Sequence, residues 1–168
     1  MKAIIAVDIN NGIGKNNKLP DFKSYAPNDM KEFREYTTNK TVVMGSKTFW
    51  SLPKRPLPNR ENVVITTNPN NKLFDQYRKE IRFVTMDDFV QWYSSNESSN
   101  EWIVIGGAKI LNALYPYLHE VRVTSVNADL ACDVFVTDFI SQLLMWRIEV
   151  AEFTEKYNVA LYTRFIAF

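Results

Sequence analysis

Trp102-Ile103-Val104-Ile105-Gly106-Gly107-Ala108-Lys109 sets four large apolar residues against two glycines and the opening of a helical pattern. A short apolar run bounded by glycine reads as a buried strand. Ile110, Leu111 and Leu114 then recur at helical spacing. Paired glycines let a backbone lie close to a ligand or take dihedrals closed to other residues. A strand that turns through glycine into a helix leaves unpaired N–H groups at a positive dipole end, which suits a diphosphate. The spacing is not G-x-G-x-x-G, so a Rossmann fingerprint is absent.

The same device occurs upstream in Val42-Val43-Met44-Gly45-Ser46-Lys47-Thr48, where Lys47 adds a positive charge and Ser46 and Thr48 add hydroxyls. Alone, a glycine between strand and helix is often only a turn. Two such turns in one small chain point to an extended cofactor.

Outward from these turns the pattern alternates. Strands are expected at Lys2 to Val7, Thr41 to Met44, Asn62 to Thr66, Arg82 to Val84, Trp102 to Ile105 and Glu120 to Val126. Leu144 to Phe153 and Asn158 to Phe168 read as a closing hairpin. Helices are expected from Pro27, with Met30 and Phe33 on the apolar side, and from Ser46 through Trp50. A third is capped by Thr85 with Asp88 three residues on, and a fourth follows Gly107. Polar loops are expected from Asn10 to about Ala26 and from Ser94 to Asn100. Alternation of this kind predicts one α/β domain over residues 1–168, a mostly parallel central sheet flanked by helices with a C-terminal antiparallel hairpin. In such sheets ligands bind beyond the carboxyl ends of the strands.

Composition removes several classes. Twenty basic against nineteen acidic side chains give a formal net charge of +1. That balance offers no basic footprint to nucleic acid. No apolar run reaches the roughly 18 residues of a membrane helix, and Ala3 to Val7 is too short for a signal peptide. One cysteine, Cys132, and one histidine, His119, cannot build a Cys/His zinc cluster, so no metal is expected. His119 has no serine–glycine elbow beside it and reads as an exposed loop residue. A lone cysteine goes with a cytoplasmic protein.

Two charged residues attract attention. Asp29 shares a helix face with Phe33 and Thr37. It is either a solvated first-turn acid or a carboxylate aimed into a pocket, where its pKa would rise and it could grip an amidine-like ring edge. Arg55-Pro56-Leu57-Pro58-Asn59-Arg60 is stiffened by prolines. Arg60 is either a solubilising loop residue or a fixed fork for a carboxylate.

Taken in order, these pieces resemble the dihydrofolate reductase family over essentially the whole chain. Gly12-Ile13-Gly14, Leu19-Pro20, Asp29 with Phe33 and Thr37, Val43 to Phe49 and Ser51-Leu52-Pro53 match it. So do Arg55 to Arg60, Ile105 to Ala108 and Val123-Thr124. The resemblance implies NADPH-dependent reduction of dihydrofolate to tetrahydrofolate, in support of one-carbon metabolism. Asp29, the catalytic acid, would bind the 2-amino and N3 edge of the pterin, helped by Thr124. Ile4, Ala6, Met30, Phe33, Ser51, Leu52, Leu57 and Ile105 would line the substrate pocket. Arg60 would hold the glutamate α-carboxylate, with Arg34 or Arg55 nearby. Gly45, Ser46, Lys47, Thr48, Thr66 and Thr67 would bind the adenosine and phosphate half of NADPH. Gly106, Gly107, Ala108 and Lys109 would approach the diphosphate, with Ala6, Ile13, Leu19 and Ile110 also against the cofactor. The loop from Gly14 to Leu19 would close over the nicotinamide. Methotrexate and trimethoprim would inhibit, and a monomer is the default state.

Three departures stand out. Asp21 and Phe22 follow Pro20 where the family usually has Trp, with about three extra residues before Pro27, so Phe22 or Tyr25 would replace the indole. Leu111 stands where many relatives have Tyr. Ser46 replaces an arginine common at the 2′-phosphate, with Lys47 and Lys109 to compensate. The competing readings are a non-catalytic pterin- or NADPH-binding protein and a riboflavin-pathway pyrimidine reductase. The latter would carry a phosphoribosyl site rather than Asp29 with Arg60.

Overall fold

The structure, a computed structural model, describes residues 1–96 and 101–164. Its strands are β1 (Lys2–Val7), β2 (Gly12–Gly14), β3 (Thr41–Gly45), β4 (Glu61–Ile65) and β5 (Ile81–Val84), then β6 (Trp102–Gly106), β7 (Glu120–Val126), β8 (Val134–Phe135), β9 (Arg147–Phe153) and β10 (Tyr157–Thr163). Its helices are α1 (Asp29–Thr37), α2 (Ser46–Ser51), α3 (Met86–Asn96), α4 (Ala108–Leu114) and α5 (Thr137–Leu143).

Eight strands form one sheet in the order β5-β4-β3-β6-β1-β7-β10-β9. Neighbours from β5 to β7 pair in parallel, and β10 runs antiparallel to both β7 and β9. This is the expected mostly parallel sheet with its antiparallel hairpin. The central strands are apolar throughout because both faces are covered. Along β3, Val42 and Met44 pack with Phe49, Val64 and Phe74 on one side. Val43 joins Val7, Phe89, Leu111 and Phe139 on the other. Each fully buried side chain of this size contributes about 1.5–3 kcal/mol.

The registers align the strand ends that matter. Ala6 stands opposite Thr124, Met44 opposite Gly106, and Gly45 opposite Ile65. The ends of β1, β3, β4, β6 and β7 therefore meet along one edge.

Several expectations are corrected. The polar loop from Asn10 to Ala26 holds β2, which pairs with β8, and a 3-10 turn at Phe22–Ser24. Helix α3 runs to Asn96, three residues into the expected loop, with the side chains of Ser94, Ser95 and Asn96 bonded to carbonyls four residues earlier in the same helix. The rest of that expected loop, 97–100, lies outside the described residues. Helix α5 has no counterpart in the sequence expectation. The apolar run Leu144–Trp146 closes it instead of opening a strand, since Trp146 N–H donates to Leu143 O at 2.9 Å and its indole to Tyr115 at 2.9 Å. Residues 165–168 of the expected last strand lie outside the described residues. His119 is exposed, as expected, with Nδ1 3.0 Å from the Met1 amine.

Candidate active site

Asp29 opens α1 beneath the edge formed by β1 and β7. Its backbone N–H reaches Ala26 O at 3.1 Å, and its half-buried carboxylate accepts a hydrogen bond from the Thr124 hydroxyl. Thr124 is buried on β7 opposite Ala6. Burial raises the Asp29 pKa above the ordinary 3.8, Glu32 raises it further, and Thr124 and Arg122 oppose the rise. Asp29 is thus half-buried against β7 rather than fully solvated.

Arg60 lies at the other end of the same helix. Its Nη1 donates to Thr37 Oγ1 at 2.8 Å and its Nε to Pro58 O at 2.8 Å, so two contacts fix the guanidinium. Thr37 in turn donates to Phe33 O at 2.7 Å. Of the two arginines expected nearby, Arg34 is the neighbour that acts on Arg60. Arg55 instead donates to Trp50 O at 2.6 Å and stacks over the Trp50 ring at 5.2 Å, so it braces the connector.

Leu52, Leu57 and Ile105 come together in one cluster with Met44 and Phe49. Ser51 donates to Thr48 O at 2.7 Å. Ile4 is buried on β1, and Ala6 and Phe33 are half-buried. Met30 and Leu19 are 46% and 55% exposed.

The two glycine turns abut. A Cβ on Gly45 would stand 2.9 Å from Ile110 Cγ1, and one on Gly107 would stand 3.2 Å from Thr48 Oγ1. Gly106 has φ +116°, a conformation that favours glycine. The N-termini of α2 and α4 thus converge with bare backbone between them. Ser46, Thr48, Ala108 and Ile110 are half-buried around this cradle, and Lys47 and Lys109 are exposed beside it. Thr66, half-buried, and exposed Thr67 follow the end of β4.

The segment from Gly14 to Leu19 is a tight hairpin. Lys15 and Lys18 exchange backbone bonds at 2.9 Å around Asn16 and Asn17, which have φ of 50° and 58°. Asn16 N–H donates to Asp133 at 2.8 Å, so the hairpin is tied to the chain before β8. Ile13, on β2, packs against the core. In the altered segment Phe22 is buried with Ala26, Val126 and Tyr157, and Ala6 and Tyr25 pack against that cluster. Phe22 is thus the ring that lies inside, with Tyr25 at its border. Leu111 is wholly buried in the core.

Three supporting residues were missed from sequence. Asn62 is buried on β4, accepts from Leu57 N–H at 3.0 Å and donates to Leu57 O and Arg60 O at 2.9 and 3.0 Å. It staples the loop that carries Arg60; the available signal was one amide in an otherwise apolar strand. Asp8 is buried just past β1 and accepts from the N–H groups of Asn10, Gly12 and Leu130 at 2.9, 2.7 and 3.1 Å. Burial works against its charge, but those donors outweigh it and hold its pKa below 3.8. The third is Arg122, two residues before Thr124, paired with Glu32 at 2.6 Å.

A half-buried acid and two abutting glycine turns at helix N-termini, at the carboxyl ends of a largely parallel sheet, are the layout of an α/β enzyme site. The model of the family described as Dihydrofolate reductase matches residues 1–165. The Bacillus subtilis dihydrofolate reductase is 34% identical over 136 residues, covering 81% of this chain and 74% of the relative. The Haemophilus influenzae enzyme is 32% identical over 157 residues, covering 89% and 85%. A solved Enterococcus faecalis dihydrofolate reductase, complexed with NADP(H) and RAB-propyl, superposes with a TM-score of 0.77 at 27% identity and covers 97% of this chain and 95% of its own. The chain belongs to the dihydrofolate reductase family.

Proposed function

We infer that the chain reduces 7,8-dihydrofolate to 5,6,7,8-tetrahydrofolate with NADPH, adding hydride at C6 and a proton at N5. The observation that carries this is the half-buried Asp29 carboxyl, tied to Thr124 at the sheet edge. Asp29 accepts two charge-assisted hydrogen bonds from the 2-amino and N3 edge of the pterin. Its raised pKa favours sharing a proton with the ring. A water relays the proton to N5. Arg60 receives the glutamate α-carboxylate. Asp29 and Thr37, which holds Arg60, are eight residues apart on α1, about 12 Å at the helical rise, a span matched to a pterin joined to a benzoylglutamate.

The close approach of the two turns supports this placement of the cofactor: Cβ atoms at Gly45 and Gly107 would meet Ile110 and Thr48, so glycine leaves the backbone N–H groups bare. Gly106, Gly107 and Ala108 take the diphosphate by backbone approach, and Ser46, Lys47, Thr48 and Lys109 take the phosphates. Thr66 and Thr67 flank the adenosine half. Ala6, Ile13, Leu19, Gly45 and Ile110 border the remaining length. When bound, NADPH supplies the hydride; the protein orients the rings and sets the protonation state.

Ile4, Met30, Phe33, Ser51, Leu52, Leu57 and Ile105 line the substrate side, where methotrexate and trimethoprim compete. Residues 1–168 act as one domain, and a monomer is the state we propose. The single thiol, Cys132, and the reductant go with a cytoplasmic place of action. Among the described residues no helix is long and apolar enough to cross a membrane.

The test is NADPH oxidation by purified protein on addition of dihydrofolate, with the product identified by chromatography. Turnover that stops with methotrexate is the expected result. Methotrexate binding without turnover would reduce the chain to a non-catalytic binder.

A further inference from the structure

Helix α1 and strand β7 face each other through three rungs. Thr124 meets Asp29. Two residues back, Arg122 Nη2 lies 2.6 Å from Glu32 Oε2. Two further back, Glu120 accepts the Tyr36 hydroxyl at 2.5 Å. The strand period of two and the helix spacing of three to four keep the rungs aligned. The top rung is the site already described. The middle rung is a full ion pair with side chains only 24% and 29% exposed. Both of its charges act on the Asp29 carboxyl. Tyr157 of β10 donates its hydroxyl to Glu152 of β9 at 2.5 Å; that bond, its burial and the charges of Glu152, Glu32 and Asp29 raise its pKa.

We propose that Glu32 and Arg122 are positioning residues for the reduction, a balanced pair that ties α1 to β7 next to Asp29 and Thr124 and in which each charge offsets the other at the Asp29 carboxyl. Half-buried ion pairs contribute little net stability, so fold maintenance alone is a weak account of this one. The two charges act in opposite senses: Glu32 raises the Asp29 pKa and Arg122 lowers it. Together they leave the acid governed by its burial. This rests on Asp29 being the ring-binding acid.

The experiment follows the Asp29 carboxyl by carbon-13 NMR in ligand-free protein, assigned with Asp29→Asn, alongside the pH profile of single-turnover reduction. Arg122→Gln is expected to move the midpoint up by about half a pH unit or more, roughly threefold in the ionisation ratio, and Glu32→Gln to move it down by a similar amount. The double variant is expected to return to within about 0.3 unit of wild type. Arg122→Lys, which keeps the charge, restores most of the shift and decides the matter where Arg122→Gln fails to fold. Shifts of the same sign in both single variants, or none, would overturn the proposal. Unmoved midpoints together with an inactive Asp29→Asn would overturn it while leaving the ring-binding role of Asp29 standing. Full activity of Asp29→Asn would overturn both.

Discussion

One methyl group at Gly45 is expected to loosen the cofactor cradle. A Cβ there would lie 2.9 Å from Ile110 Cγ1, up to about 1 Å inside ordinary carbon–carbon contact. Ile110 is β-branched and sits on α4, where essentially one χ1 rotamer is open to it. The clash is therefore met by displacing α4 rather than by turning the side chain. Overpacking of this kind costs about 1–3 kcal/mol. The part of that cost that NADPH must meet in pressing α4 back against α2 falls on binding, so at 1.4 kcal/mol per factor of ten the NADPH dissociation constant of Gly45→Ala should rise, by up to about 150-fold, and the rest should appear as a lower melting temperature. Calorimetric titration with NADPH measures it. Methotrexate binding without cofactor should stay within about twofold of wild type. Adding Ile110→Ala removes the clashing atom and should recover affinity relative to Gly45→Ala. Wild-type NADPH affinity in Gly45→Ala, with an unchanged melting temperature, would refute the close packing of the two turns as the basis of the cradle.

Three further outcomes follow from the same geometry. Asn62→Ala strands the Leu57 and Arg60 backbone groups and should cost about 2–4 kcal/mol, seen as a lower denaturation midpoint with a raised KM for dihydrofolate. Arg60→Leu should raise that KM about 10- to 100-fold with little change in kcat, while a pterin lacking the glutamate tail is unaffected. Asp29→Asn should melt higher than wild type near neutral pH. The folded-state pKa of Asp29 lies above the ordinary 3.8, so folding takes up a proton between those two values. Wild-type stability therefore falls as pH rises through that window. Melts below about pH 3.8, where both states carry the neutral acid, should show no such gain for the variant.

The parallel sheet was legible because its strands are buried on both faces and read as unbroken apolar runs, as in Val42 to Met44 and Trp102 to Ile105. The glycine turns were legible as punctuation; that they touch each other depends on β3 and β6 being neighbours, which no local pattern states. Helix α5 escaped because its core contacts, Phe139 and Leu143, make a single i, i+4 pair in a seven-residue helix, too short a run to show helical periodicity. The burial of Asp29 had no local signature, because it comes from β7, which brings Thr124 across from 95 positions away. The Arg122–Glu32 pair, 90 positions apart, had no local signature for the same reason. In the altered segment the sequence offered two rings, Phe22 and Tyr25, and only the packing against Val126 and Tyr157 distinguishes them.

The central claim is that one carboxyl, Asp29, controls protonation of the ring that receives hydride. Single-turnover reduction of dihydrofolate by NADPH, followed across pH in wild type and Asp29→Asn, tests it most directly. Wild type should lose rate log-linearly as pH rises through one ionisation, and Asp29→Asn should be slower by about 100-fold or more at neutral pH, the range typical of a lost acid–base group. A wild-type rate in Asp29→Asn, with the same pH dependence, would contradict the account.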